Sequence, residues 1–115
     1  MTPYKHAESS SVKYGGKPSE YIELHDWFDE AKQYTDNWTH RALRHHAAGI
    51  QRAVEKFGPT IGKNKIPTKL LAEQHVMEDC GYIPTVADWL RALLSHPEDW
   101  VLKVKVKTVE KIKLK

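Results

Sequence analysis

The sequence contains a single cysteine, Cys80, so no internal disulfide framework braces it and a reducing compartment suits it. It has no apolar run long enough to span a bilayer, 29% of its residues are charged, and its mean hydropathy is -0.64. A soluble protein with no membrane partner is expected. The opening residues Met1-Thr2-Pro3-Tyr4-Lys5-His6 lack the apolar core of a signal peptide, which makes the cytoplasm the expected location. A glycine-rich phosphate loop is also missing, since Gly15-Gly16 is a pair and nothing more. No internal repeat is evident. At 115 residues the chain can bury a modest core without help from a metal or a disulfide.

A uniform charge excess is missing as well. The net charge of +3 divides into a tail, residues 101–115, with six lysines and one glutamate, and a body, residues 1–100, with a net of -2. The expected organisation is a helical domain over 1–100 followed by the lysine-rich tail 101–115. In the tail, Leu102, Val104, Val106, Ile112 and Leu114 alternate with lysines, which is the period of a half-buried strand. Such a strand can follow a phosphate backbone, although no aromatic side chains interleave its lysines. It equally suits an edge strand protected by lysine, paired with residues 60–67 or with another copy of the chain.

The body reads as helices. Residues 6–14 form a first helix ended by Gly15-Gly16. Ser19 caps a second, along which Tyr21, Leu24, Phe28 and Ala31 recur at helical spacing. A third runs from about Asn37 to Phe57, with Leu43, Ala47, Ile50, Val54 and Phe57 on its apolar face, and stops at Gly58-Pro59. Residues 58–68 read as a turn or short β-hairpin. A fourth helix spans about 69–80 and closes at Gly81, and a fifth turns Val86, Trp89, Leu90 and Leu93 inward before His96-Pro97. The expected fold is therefore mostly α, a bundle-like domain of four to five helices. A small β element comes from residues 60–67 and the C-terminal strand.

What the chain does have is histidine. Three of its seven histidines stand within His40-Arg41-Ala42-Leu43-Arg44-His45-His46, and histidine is the commonest metal ligand. His25 and Asp29 are four residues apart, and His75 and Asp79 repeat that spacing, which puts each pair on one helix face. Projection of a continuous third helix sets His46 beside the apolar face, His45 further toward solvent and His40 on the opposite flank. The metal ligands expected are His25, His46, His75 and Asp79, with His6 reaching in from the N-terminal segment. Imidazole with carboxylate suits zinc, manganese or iron completed by water. Glu78 or Asp26 is the expected base, and Arg44 the residue that neutralises substrate charge. Structural roles compete with these: a histidine–aspartate pair at this spacing is also an ordinary hydrogen-bonded pair, and Arg41 and Arg44 can pair with the acidic second helix. Cys80, at a helix C-terminus, reads as an inert thiol.

Several segments together resemble a small domain family of unknown function found in phage and bacterial genomes. They are His6-Ala7-Glu8-Ser9-Ser10 with Tyr14-Gly15-Gly16, Ile22–Lys32, His40–Ile50, Glu73–Asp79 with Gly81, Ile83-Pro84-Thr85 and Asp88-Trp89-Leu90. The resemblance covers roughly residues 5–92 and implies a phage or bacterial cytoplasmic origin, with no activity to carry over. From the residues themselves, the leading reading is a small metal-binding protein acting as a hydrolase of phosphoesters or nucleotides. The alternative is a non-catalytic interaction protein that binds a host protein or nucleic acid and self-associates into a homo-oligomer through the tail.

Overall fold

A computed structural model of the chain describes residues 1–34 and 40–95. Trp38, His96 and the strand expected after Trp100 lie outside the described residues. The described chain folds as α1 (Pro3–Tyr14), α2 (Ile22–Asp29), α3 (Arg41–Arg44), α4 (Ala47–Phe57), β1 (Thr60–Ile61), β2 (Ile66–Pro67), α5 (Thr68–Cys80) and α6 (Val86–Leu94). It is mostly α, as the periodicity indicates. Its two strands pair antiparallel with Ile61 opposite Ile66, so the hairpin read into residues 58–68 is present.

Local chemistry explains the boundaries. Pro3 opens α1, and the Thr2 hydroxyl caps it by accepting the Lys5 N–H at 3.2 Å. A capping box opens α6: Asp88 N–H donates to Thr85 Oγ1, and the Asp88 carboxylate accepts Thr85 N–H. Gly81, at φ +79°, takes the left-handed conformation that ends α5. The Glu20 carboxylate accepts backbone N–H groups from Lys17 at 2.7 Å and Lys63 at 2.9 Å. It thereby ties the hairpin to the turn between α1 and α2.

The core gathers Ala7, Tyr21, Leu24, Phe28, Ile50, Ala53, Leu71, Ala72 and Val76. Helix α5 packs against α1, α2 and α4, which is why Leu71, Ala72, Gln74, His75 and Val76 are all buried on it. Four histidines, at 6, 25, 45 and 75, have no exposed surface at all. The core is thus apolar on one side and built of imidazole on the other.

Two expectations are corrected. The continuous third helix is broken at His45-His46: His46 is extended (φ -161°, ψ 173°) and caps α4 by accepting the Gly49 N–H at Nδ1, 3.0 Å away. Helix α6 clasps the break, with Ala47 N–H donating to Pro84 O and the Trp89 indole N–H donating to His45 O at 2.8 Å. Gly49 makes the close approach feasible, because a Cβ there would lie 1.8 Å from the Arg44 carbonyl oxygen. The break swings Leu43 outward to 54% exposure and turns His45 inward. The second correction concerns α6. Val86, Leu90 and Leu93 are exposed, because the helix docks through Trp89 and the preceding Pro84 instead of its whole apolar stripe.

Candidate metal centre

Helices α2 and α5 each carry a histidine and an aspartate four residues apart, and packing them together brings the two pairs face to face. His25 Nδ1 lies 2.8 Å from His75 Nδ1. His75 Nε2 lies 3.2 Å from Asp79 Oδ2 and 3.4 Å from Asp29 Oδ1. The break between α3 and α4 adds His45, whose Nε2 stands 3.1 Å from His75 Nε2, 2.9 Å from Asp79 Oδ2 and 3.4 Å from Asp29 Oδ1. The side chains of Asp29 and Asp79 are only 3% and 2% exposed.

These distances have the scale of a coordination shell. Four ligand atoms bound tetrahedrally at about 2.0–2.1 Å stand about 3.3 Å apart, and five separations among His45, His75, Asp29 and Asp79 run from 2.9 to 3.4 Å. Three groups of donors are close enough to hold a metal ion: His6, His25 and His75; His6, Asp29, His75 and Asp79; and Asp29, His40 and His45. Asp29 presents Oδ1 to the histidines, while its Oδ2 pairs with Lys32 Nζ at 3.7 Å.

Electrostatics agrees. Burial opposes charge on Asp29 and Asp79, but hydrogen bonds from His45 and His75, joined at Asp79 by His6, outweigh it and hold both carboxyls well below the usual range. Burial likewise opposes charge on His45, yet hydrogen bonds to Asp29 and Asp79 raise its pKa.

The surrounding hydrogen bonds fix which nitrogen of His75 faces the centre. Gln74 Nε2 donates to His6 O and to Glu78 Oε1, so its Oε1 is the acceptor for the Ser10 hydroxyl at 2.9 Å. With its proton committed there, Ser10 Oγ must accept from His25 Nε2–H, 2.8 Å away. Burial, reinforced by the charges of His75 and His6, pushes His25 down to about 2, so it is neutral and its Nδ1 is an acceptor. His75 then donates from Nδ1 to His25, which leaves Nε2 as the nitrogen that faces Asp29 and Asp79. Outer hydrogen bonds of this kind orient metal-binding imidazoles.

Two more imidazoles flank the group. His6 stacks on His75 with ring centroids 3.8 Å apart, places Nε2 3.1 Å from Asp79 Oδ1, and holds Glu78 Oε1 at Nδ1, 2.9 Å away. His40 Nε2 lies 3.4 Å from Asp29 Oδ1.

Of the residues singled out in the sequence, the fold brings His25, His75, Asp79 and Glu78 together with His6. His25 touches the other imidazoles, and Glu78 is taken up by His6, Ser9 and Gln74. The fold does not bring His46 into the group, since both its nitrogens serve the backbone of Gly49 and Leu43. Asp26 lies on the exposed face of α2. Arg44 sits over the Trp27 ring at 4.2 Å and pairs with Glu30. Sequence reasoning misses His45, His40, Ser10 and Gln74. It uses Asp29 only as the partner of His25, though the repeated spacing is a signal for it.

An open cleft of about 290 Å³ adjoins the group at Asp79 and is lined by Arg41, Cys80, Tyr82, Asp88 and Trp89 among others. Arg41 donates to Asp79 O at 3.0 Å and holds its guanidinium 3.9 Å from Asp79 Oδ1. Burial pushes the Cys80 thiol up, consistent with an inert cysteine.

No helix among the described residues is long and apolar enough to cross a membrane. No curated protein and no solved structure matches the chain. A family model described as "Domain of unknown function (DUF6915)" matches residues 1–101, and the chain belongs to that family.

Proposed function

We propose that this protein is a metal-dependent hydrolase of phosphoesters or nucleotides, with His45, His75, Asp29 and Asp79 holding a divalent transition metal. The observation that carries this reading is the set of four buried donors at the separations of a coordination shell. Zinc, manganese and iron all accept imidazole with carboxylate. Such an ion, when bound, supplies Lewis acidity and lowers the pKa of water. The protein's own part is orientation and charge. Ser10 and His25 fix the His75 tautomer, Glu78 orients His6, and Arg41, on the cleft, meets the negative charge of an incoming phosphoryl group. Arg41 thus takes the role that spacing alone suggests for Arg44.

The test is elemental analysis of protein purified without a histidine tag, followed by phosphodiester and nucleotide hydrolysis with and without added metal. Stoichiometric transition metal and metal-dependent turnover are expected. No bound metal and no thermal stabilisation by zinc or manganese would overturn the metal reading; bound metal with no turnover would overturn the hydrolase. The second reading, a protein-binding module, is favoured by one observation: Val86, Leu90, Leu93 and Leu94 are exposed along α6. Self-association through the tail is tested separately by removing residues 101–115 and measuring the mass in solution, which should fall if the tail joins copies.

A further inference from the structure

The centre has more donors than one reactive ion can use. Six buried or nearly buried side chains converge: His6, His40, His45 and His75 through Nε2, with Asp29 and Asp79. An ion bound by all six would have a filled octahedral shell and no position for water or substrate. A catalytic site keeps a position open.

The two carboxylates divide the imidazoles. Asp79 offers Oδ1 to His6 and Oδ2 to His45 and His75. Asp29 Oδ1 stands 3.4 Å from each of His40, His45 and His75. Of the three groups of donors that fit within 4.8 Å, two contain carboxylates: His6, Asp29, His75 and Asp79 form one, and Asp29, His40 and His45 the other. Asp29 belongs to both. Its other oxygen, Oδ2, meets Lys32 Nζ, 3.7 Å away on the outer side.

We propose that the centre takes two divalent cations, one among His6, His75 and Asp79 and one between His40 and His45, with Asp29 shared between them. This inference rests on the metal reading above but divides its four-donor shell between two ions: His45 and His75, which face each other across the middle, then serve one ion each. Cations sharing a carboxylate in this way stand about 3.5–4 Å apart and clamp the two oxygens exchanged in phosphoryl displacement. The centre's substrate class would then be phosphoesters in preference to carboxylic esters or amides.

The experiment is metal counting on the full-length, untagged chain, stripped with a chelator, saturated with manganese(II) and freed of excess by gel filtration. Two manganese ions per chain are expected, with an electron paramagnetic resonance spectrum showing exchange between them. His40→Gln, checked for native helicity by circular dichroism, should lower the count from two to one and abolish the exchange. One ion per saturated wild-type chain overturns the two-cation proposal and leaves the metal reading standing. No bound ion overturns both. Two ions without magnetic exchange overturn the sharing of Asp29. Because the wild-type count decides the matter, a His40 variant that fails to fold does not obscure the result.

Discussion

Replacing Ser10 with alanine removes one oxygen from a buried chain of hydrogen bonds, and the structure fixes the consequences. The Ser10 hydroxyl donates to Gln74 Oε1 and accepts from His25 Nε2–H. Without it, one buried acceptor and one buried donor lose their partners. Each costs about 1–3 kcal/mol, so the variant should lose roughly 2–6 kcal/mol of unfolding free energy, a large share of the roughly 5–15 typical of a domain. A second effect is independent of the first. With no acceptor at Nε2, His25 is free to place its proton on Nδ1, and it then competes with the proton that His75 places on its own Nδ1, 2.8 Å away. His75 would turn or move its proton, and its Nε2 would no longer be held facing the centre. Loss of an orienting hydrogen bond weakens metal binding by about 10–100-fold. Urea unfolding of metal-free protein measures the first effect, and zinc affinity by competition with a chelating dye measures the second. A stability loss with unchanged zinc affinity would refute the tautomer argument, and a loss below about 0.5 kcal/mol would refute the hydrogen-bond chain itself.

Three further outcomes are expected. His46→Ala should cost about 1 kcal/mol through the lost cap of α4 and leave metal content unchanged, whereas His45→Ala should abolish stoichiometric binding; elemental analysis of the two proteins tests the contrast. Gly49→Ala sets a methyl 1.8 Å from the Arg44 carbonyl oxygen, so the break must open. The loss should reach about 3 kcal/mol by chemical denaturation, with weakened zinc binding because His45 moves with it. Zinc at about 100 times its dissociation constant should stabilise the wild-type chain by about 2.7 kcal/mol, measured as a denaturation midpoint that returns to its starting value on adding chelator.

Much of the fold is legible because its boundaries rest on local chemistry. The first helix ends at Gly15, the hairpin is bracketed by Gly58-Pro59 and Pro67, and α5 closes at Gly81. In each case the backbone preference of one or two residues decides the outcome. Helix α6 shows the limit of that logic. Its apolar stripe is real, but a stripe says only that one face is apolar, and in this fold it stays largely outside while Trp89 makes the contact.

The site divides along the same line. The repeated spacing of His25 with Asp29 and His75 with Asp79 puts two donor pairs on helix faces, and helix packing alone suffices to join them. His45 requires something that no local preference announces. Arg41 through Phe57 has no proline, and its one glycine, Gly49, is tolerated inside helices. Local preference therefore favours a continuous helix, which would send His45 outward and His46 inward. The break arises from tertiary contacts: Trp89 holds the His45 carbonyl, Pro84 holds the Ala47 amide, and Arg41 reaches the Asp79 carbonyl. All these contacts come from residues at least 37 positions away in sequence, so the break and the inward turn of His45 arise only once α5 and α6 are in place. The same α6 lines the cleft beside Asp79, so the wall of that cleft and the placement of His45 depend on one docked helix.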